Sequence, residues 1–592
     1  MANDRIGAGE PPAGDHLQSV YRFWLVGHQL GHGRAPWKDP YSFQPIVEPQ
    51  TVLGGWPFGL LFWPIDTLFG PVVGWNLLLL TTIVLAGLFT YSWLRCLELG
   101  VLPALLGGLV FAIAPYRLEQ SAGHLLGWAA VFLPLSLWAV ERARLASTAG
   151  RAHVWGAVAA VALASISLSG QVHLALGAVP LLVAYAALRF ARVPFAWTLG
   201  GALVAAGVGI GIRYALIAGS PEETGRSVDE LRRYSAEPLD FLDRWHLPGS
   251  EEFVYLGWLT PALAVVGLVF LAKRRRGLAV LFGLAAFLPV LLALGTNLPG
   301  YEAVWRHFSP LHFTRVPGRL LPIANLALAA LAAFACAGLL ARRAGWTIAI
   351  GATLLVLVAL DLVVQPLSSA AADPDNGAYL ALAASPPGRV LELPLFEPGV
   401  HYGSVYDYYQ LQEAREQPGG YSTLAPQAAF DFYFGHDRLS CGVWLAGDRA
   451  ELARLGITRI LFHRGLYAQA QRVGAAFAEA ALWDAGWHPT ANGGPVTLWA
   501  PGDGSHPPGF PPLPPPQRPI LCSGWHGHTM TDSQATIWIY GSGSVSVRLS
   551  GGGPEVFVDG KRDPGSLEQG WHSLLLVTGS SGATLQSVAI SP

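Results

Sequence analysis

Residues 71–94 read PVVGWNLLLLTTIVLAGLFTYSWL, twenty-four positions without one Asp, Glu, Lys or Arg. A helix needs about 20 apolar residues to cross the roughly 30 Å hydrocarbon core of a bilayer, and this stretch meets that length. Working outward, comparable stretches recur at 101–116, 125–141, 152–170, 172–189, 196–218, 252–272, 277–295, 318–340 and 345–366. The fold class that follows is a polytopic α-helical membrane protein with about ten transmembrane helices. Composition agrees: 52% of the 592 residues are hydrophobic and 13% are charged, about half the usual charged share of a soluble domain. Mean hydropathy is +0.39. The formal charge of −2 leaves no global basic field for a polyanion, so nucleic acid is excluded as a partner.

Lys and Arg collect on the cytoplasmic side of short loops. Lys273–Arg276, Arg342 with Arg343, Arg189 with Arg192, and Arg142, Arg144 and Arg151 mark four such turns. Counting through the spans from these anchors places residues 1–70, the loops near 115–125, 219–250 and 296–317, and the tail 367–592 on the outer side. The opening MANDRIGAGEPPAGDH has no apolar core to carry it across. A further helix upstream of Met1 is therefore expected.

The tail changes character. Strand-like RVLELPLF and ITRILFH alternate with helix-compatible runs at 446–455 and 468–482, which predicts an α/β domain over 367–500. A Pro-rich linker occupies 501–519. ATIWIYG, SVSVRLSG, PEVFVDG, HSLLLVTG and ATLQSVAI then predict a β-sandwich module over 520–592. Of the four cysteines, Cys441 and Cys522 fall in this outer region, where a disulfide between them and two free thiols are both open; no CxxC spacing builds a thiolate metal site.

Three outer segments gather ionisable side chains near the membrane surface. The stretch before the first span places Asp15, His16 and Asp39 there; a helix cap is the ordinary role for such an Asp. APYRLEQSAGH adds Arg117, Glu119 and His124 between two spans, where charged groups face a cavity or a partner rather than lipid. LHFTRVPGR adds His312, Arg315 and Arg319 at the start of another. Outer arginines run against the topology rule. Either they fork onto a phosphate or they pair with Glu302 or another acid.

Gly14-Asp15, APWKDPYSFQP, GPVVGWNLLLL, FAIAPYRLEQSAGHL and LHFTRVPGRL, in that order over residues 14–366, resemble the GT-C superfamily of polytopic glycosyltransferases, in an uncharacterised bacterial branch. The resemblance implies transfer of a sugar, with inversion, from a polyprenyl-phosphate donor to an extracytoplasmic glycan or glycolipid acceptor, at the bacterial cytoplasmic membrane. It makes Asp15 the general base, with Asp39 and Glu119 as further acids. Arg315 and Arg319 become clamps for the carrier phosphate, and His16, Arg117, His124 and His312 substrate-binding groups. A divalent metal occurs in some family members; no ligand cage is recognisable here and none is expected to be required. The rival readings are a lipid-linked glycan transporter and a non-catalytic scaffold of a polysaccharide assembly machine. No GxSxG, HExxH or SxxK string supports a hydrolase.

Overall fold

The computed structural model describes residues 10–592 except 213–216, 218–226, 246–250, 252, 309–314, 342–346, 365–371, 471–473, 503–517, 527, 531–532, 551–553, 563–564, 579–581 and 592. His312 and most of the Pro-rich linker lie outside the described residues. The chain divides into two compact units. One comprises the described residues of Arg22–Lys38 and Thr51–Ser369, the other those of Ala2–Tyr21, Asp39–Gln50 and Ala370–Pro592.

The first unit is helical. Among the described residues six helices are long and apolar enough to cross a membrane: Pro71–Cys96, Leu125–Arg144, Ala149–Leu168, Arg192–Ile212, Arg276–Ala293 and Pro317–Ala341. The pair Val101–Ala112 and Pro115–Ala122 meets the same test together but is bent by 41°, the form of a broken span or a re-entrant loop. The remaining three apolar stretches are helical but shorter, at Val172–Leu188, Leu259–Arg274 and Thr347–Leu362. The stretch 101–116, expected as one straight span, is thus interrupted by a bend. Its cause is local: proline disfavours helical geometry in the residue before it and donates no N–H, and Ala114 before Pro115 takes ψ 122°. Arg117, wholly buried, answers the break by donating from Nη1 to the Ala112 carbonyl at 2.9 Å and from Nη2 to the Thr82 carbonyl at 3.1 Å.

Small residues let these helices approach closely. A Cβ on Gly267 would meet the Leu331 carbonyl oxygen at 1.8 Å, so Leu259–Arg274 lies directly against Leu321–Ala341. Two of the basic turns converge on one acid. The buried Glu141 accepts from Arg144 at 2.8 Å, Arg189 at 2.5 Å and the Tyr185 hydroxyl at 2.6 Å. Residues 1–70, read from sequence as a loop, contain two helices, α1 (Asp15–Gly31) and α2 (Phe58–Phe69). Neither reaches span length. Phe23 of α1 packs its ring on Phe58, Phe62, Trp75 and Trp128 at 5.2–5.9 Å.

In the second unit a four-stranded sheet is built from β1 (Arg389–Leu393), β2 (Ile457–His463), β3 (Trp487–Asn492) and β4 (Val496–Pro501) in the order β1-β2-β4-β3. The β1/β2 pair is parallel and the other two are antiparallel. Leu391, Leu393, Ile460, Phe462, Trp487 and Trp499 form its core. Among the described residues the C-terminal module contains a five-stranded sheet of β5 (Ile520–Leu521), β6 (Gln534–Leu549), β7 (Glu555–Val558), β8 (Leu567–Val577) and β9 (Leu585–Ser591), beside a two-stranded one of Trp525–His526 and Thr529–Met530. What reads in sequence as two strands, ATIWIYG and SVSVRLSG, is one. The first half of β6 pairs β8 and the second pairs β9, with the register shifting between Gly541 and Gly543. Gly543 has φ 120°, which a side chain would resist. Residues from both halves pack on one core around Ile537, Ile539, Leu574 and Leu576.

Cys441 and Cys522 are disulfide-bonded, with Cα atoms 5.6 Å apart across 81 positions of sequence. The bond joins the turn Asp437–Cys441 to the segment after β5. A Cys441→Ser, Cys522→Ser double variant is expected to lose about 2–4 kcal/mol from the unfolding free energy of this unit, the usual worth of a long-loop crosslink. Denaturant titration reads it; an unchanged midpoint would deny the bond any role in stability.

Candidate functional site

In the first unit the basic side chains gather around one carboxylate. The break before Pro115 sets α3 (Pro115–Ala122), which carries Tyr116 and Glu119, and His124 caps the next helix. The short turn Pro317–Leu320 carries Arg319 into the helix Leu321–Ala341. Glu251 accepts from Arg315 Nη2 at 3.0 Å and from Arg319 Nη2 at 3.2 Å, and His124 Nε2 lies 3.4 Å from the same Oε1. Two guanidiniums against one carboxylate make this group of side chains net positive. All four are only partly exposed, Glu251 at 12% and the three basic side chains at 23–28%, which strengthens electrostatic interactions there relative to open water. Arg315 also lies over the Tyr234 ring, 5.1 Å from its centre.

Two further features adjoin the cluster. Tyr116 is fully buried and its hydroxyl has no hydrogen-bond partner among the described residues. It touches the arginine turn, since a Cβ on Gly318 would sit 3.7 Å from that oxygen. A small void, with room for about one water molecule, lies beside the arginine turn and is lined by His173, Leu176, Leu292, Tyr301, Pro317 and Arg319.

The acid that pairs with Arg315 and Arg319 is therefore Glu251. Glu302, the partner named from sequence, is held by Arg232 at 3.4 Å and by Arg306. Glu251 escaped notice because it stands at the boundary of an apolar stretch, in GSEEF, and the pairing closes over 64 and 68 positions. Arg117 serves the helix break, donating to the Ala112 and Thr82 carbonyls. Glu119 is half-buried on α3.

In the second unit Asp15 begins α1 and accepts from the Tyr421 hydroxyl at 2.7 Å. The chain around it is docked on the α/β region. Gly14 N donates to Ser404 Oγ at 3.1 Å, Ala13 N to Gln469 Oε1 at 3.1 Å, and Gln18 Nε2 to the Tyr421 carbonyl at 2.5 Å. Burial lowers the His16 pKa to about 4, so the ring is neutral near pH 7. Asp39 has a different environment. At 4% exposure it accepts from Tyr21 Oη at 2.7 Å, Tyr41 N at 2.9 Å, Ser42 N at 3.3 Å and Ser42 Oγ at 2.8 Å. Four donors on two oxygens tie the DPYS turn together, which is work of position. The same segment then pairs with 417–419, through Phe43 N to the Gly419 carbonyl at 3.0 Å and Gln44 N to the Gln417 carbonyl at 2.8 Å.

The buried set Glu10, Tyr379, Glu392 and His463 also went unseen in sequence. Its members come from four separate segments, and a lone His at the end of an apolar strand carries no local signal. Among the described residues no group of three His, Cys, Asp or Glu side chains is arranged to hold a metal ion.

No protein-family model and no curated protein sequence matches this chain. Solved structures do. The arabinofuranosyltransferase AftD from Mycobacteria superposes with a TM-score of 0.53 over 99% of this chain at 13% identity. The chain spans 57% of that protein's length. The oligosaccharyltransferase AglB from Archaeoglobus fulgidus, in complex with an inhibitory peptide and a dolichol-phosphate, gives 0.45 over 86% of this chain and 72% of its own, at 13% identity. ArnT from Cupriavidus metallidurans, bound to undecaprenyl phosphate, gives 0.42 over 84% of this chain and 96% of its own, at 12% identity. At these identities the likeness is one of fold, and the first of the three carries it. The chain is a multi-pass membrane protein with the GT-C fold.

Proposed function

We propose that this protein is a membrane glycosyltransferase that moves a sugar from a polyprenyl phosphate to a glycan or glycolipid acceptor on the outer side of the bacterial cytoplasmic membrane, inverting the anomeric centre. The observation that supports it most is the convergence of Arg315, Arg319 and His124 on Glu251, at the start of a long helix. Guanidinium forks and a helix N-terminus both favour phosphate oxygens. The place of these side chains at the start of a membrane-spanning helix favours a lipid carrier over a soluble nucleotide sugar.

Two roles follow. Arg315 and Arg319 hold the phosphate and stabilise it as it leaves with the carrier, the interaction that gains most as negative charge develops on the bridging oxygen. Asp15 accepts the proton of the acceptor hydroxyl as that oxygen attacks the anomeric carbon. The Tyr421 hydroxyl bonded to Asp15 would hold the carboxylate in one orientation. Glu119, His16 and His124 are assigned to acceptor and donor contacts. Asp39 acts through the turn it closes. No metal is required for these steps.

The decisive experiment supplies the purified full chain, in nanodiscs, with labelled polyprenyl-phosphate sugars. A new glycoside is the expected product. Lipid crossing the bilayer of sealed proteoliposomes without a new glycoside would replace this reading by the transporter one. The orientation is tested separately by reporter fusions at Pro45 and Gly377, both expected to report the outer side; a cytoplasmic signal from Gly377 would overturn it.

A further inference from the structure

Strand β2 ends on His463, which is wholly buried and bridged on both sides. Its Nδ1 bonds Glu10 Oε1, and its Nε2 lies 2.5 Å from Glu392 Oε2. The Tyr379 hydroxyl donates to Glu392 Oε1 at 3.0 Å and lies 3.2 Å from the same ring nitrogen. Carboxylate oxygens accept, so each ring nitrogen must carry a proton, and the ring is an imidazolium between two acids. The second Glu10 oxygen is buried without a hydrogen-bond partner among the described residues. Glu10 is therefore held through His463.

Glu10 opens the short arm that leads into α1. The arm's other ties are neutral hydrogen bonds: Ala13 N and Gly14 N to Gln469 and Ser404, and Gln469 Nε2 to the Pro11 carbonyl at 3.3 Å. The ion triad is its one charged anchor among the described residues. Buried ion groups contribute little net stability compared with apolar replacements of similar volume, while loss of one partner is costly. What such a group does supply is a single seat.

We infer that Glu10, His463 and Glu392 form a positioning latch that seats the N-terminal arm on the α/β region and thereby sets the Asp15 carboxylate against the Tyr421 hydroxyl. Its bearing on transfer rests on the reading of Asp15 as the base; the seating of the arm does not.

The latch has a pH signature. Burial alone would lower the His463 pKa, but the two carboxylates and their hydrogen bonds outweigh it and raise the value to about 9. The other groups facing the ring are the phenols of Tyr379, Tyr406 and Tyr409, the last bonded to Asp373 at 2.9 Å. A raised folded-state pKa stabilises fully below the ordinary value of 6.5, and that contribution is lost as pH rises through about 9.

The test is hydrogen exchange on the full chain in nanodiscs, corrected for intrinsic rates, over residues 10–21 and over β1 and β2. In the wild type, exchange of 10–21 is expected to rise at least tenfold between pH 7 and pH 10. In Glu10→Gln it is expected to be at least tenfold faster already at pH 7 and to lose that pH dependence, with β1 and β2 still protected. Glu10→Gln keeps the His463–Glu392 pair, so the test survives even if His463→Gln fails to fold. Protection of 10–21 unchanged in Glu10→Gln, or independent of pH in the wild type, overturns the latch. A loosened arm with undiminished glycosyl transfer leaves the latch standing and removes Asp15 as the base.

Discussion

Asp15→Asn is expected to lower glycosyl transfer by about 10² to 10⁴, the worth of general-base assistance, while binding of the carrier lipid stays within twofold. Asparagine keeps the shape and the oxygen that receives the Tyr421 hydroxyl at 2.7 Å, so the seat is retained and only proton acceptance is lost. Tyr421→Phe is the companion. It removes an orienting hydrogen bond and leaves the base, so its effect should be about tenfold, in line with about 1.5 kcal/mol or more for a hydrogen bond to a charged group. Single-turnover rates with labelled donor, measured beside carrier binding, distinguish the two. Wild-type turnover in Asp15→Asn would clear Asp15 of the role and make Glu119 the next acid to test.

Replacing both Arg315 and Arg319 with Gln should act on binding instead. Each supplies charge-assisted hydrogen bonds of about 1.5–3 kcal/mol, so the double variant is expected to weaken polyprenyl-phosphate binding by about 10² or more. The variant has a second consequence, because Glu251, at 12% exposure, would lose both arginine partners. A local collapse could then mimic a binding defect. Adding Glu251→Gln separates the causes: if the loss comes from Glu251, the triple variant recovers affinity, whereas a phosphate clamp stays lost. Undiminished affinity in the double variant would end the assignment. Glu251→Gln alone is informative too, since it frees both guanidiniums and should tighten an anion that otherwise competes with the carboxylate.

Both experiments concern residues that the sequence had already brought forward, for a reason that is local. Charge at the end of an apolar run is conspicuous, and Arg315 and Arg319 stand at such an end, while Asp15 was brought forward by the resemblance carried on Gly14-Asp15. The spans were equally open to reading, because a helix in lipid satisfies its own backbone hydrogen bonds within one segment and so declares itself through composition alone. RVLELPLF and ITRILFH showed their strands for the related reason that a buried strand is a short apolar run. Local pattern reached its limit where the chain breaks its own pattern: the bend at Ala114 sits inside apolar sequence, and Arg117, which looks like a ligand residue, donates to the Ala112 carbonyl at that bend and to the Thr82 carbonyl of the neighbouring helix.

What tertiary structure alone decided is which charges meet. Glu251 takes Arg315 and Arg319 across 64 and 68 positions, Tyr421 reaches Asp15 across 406, and His463 reaches Glu10 across 453. Asp39, read from sequence as a further acid, is the acceptor at the centre of a turn, where donors from Tyr21, Tyr41 and Ser42 close on it. Apolar burial is additive and nearly independent of partner, so periodicity records it residue by residue. A buried charge is tolerated only with a specific partner at hydrogen-bonding distance, and that distance exists only once the chain has folded.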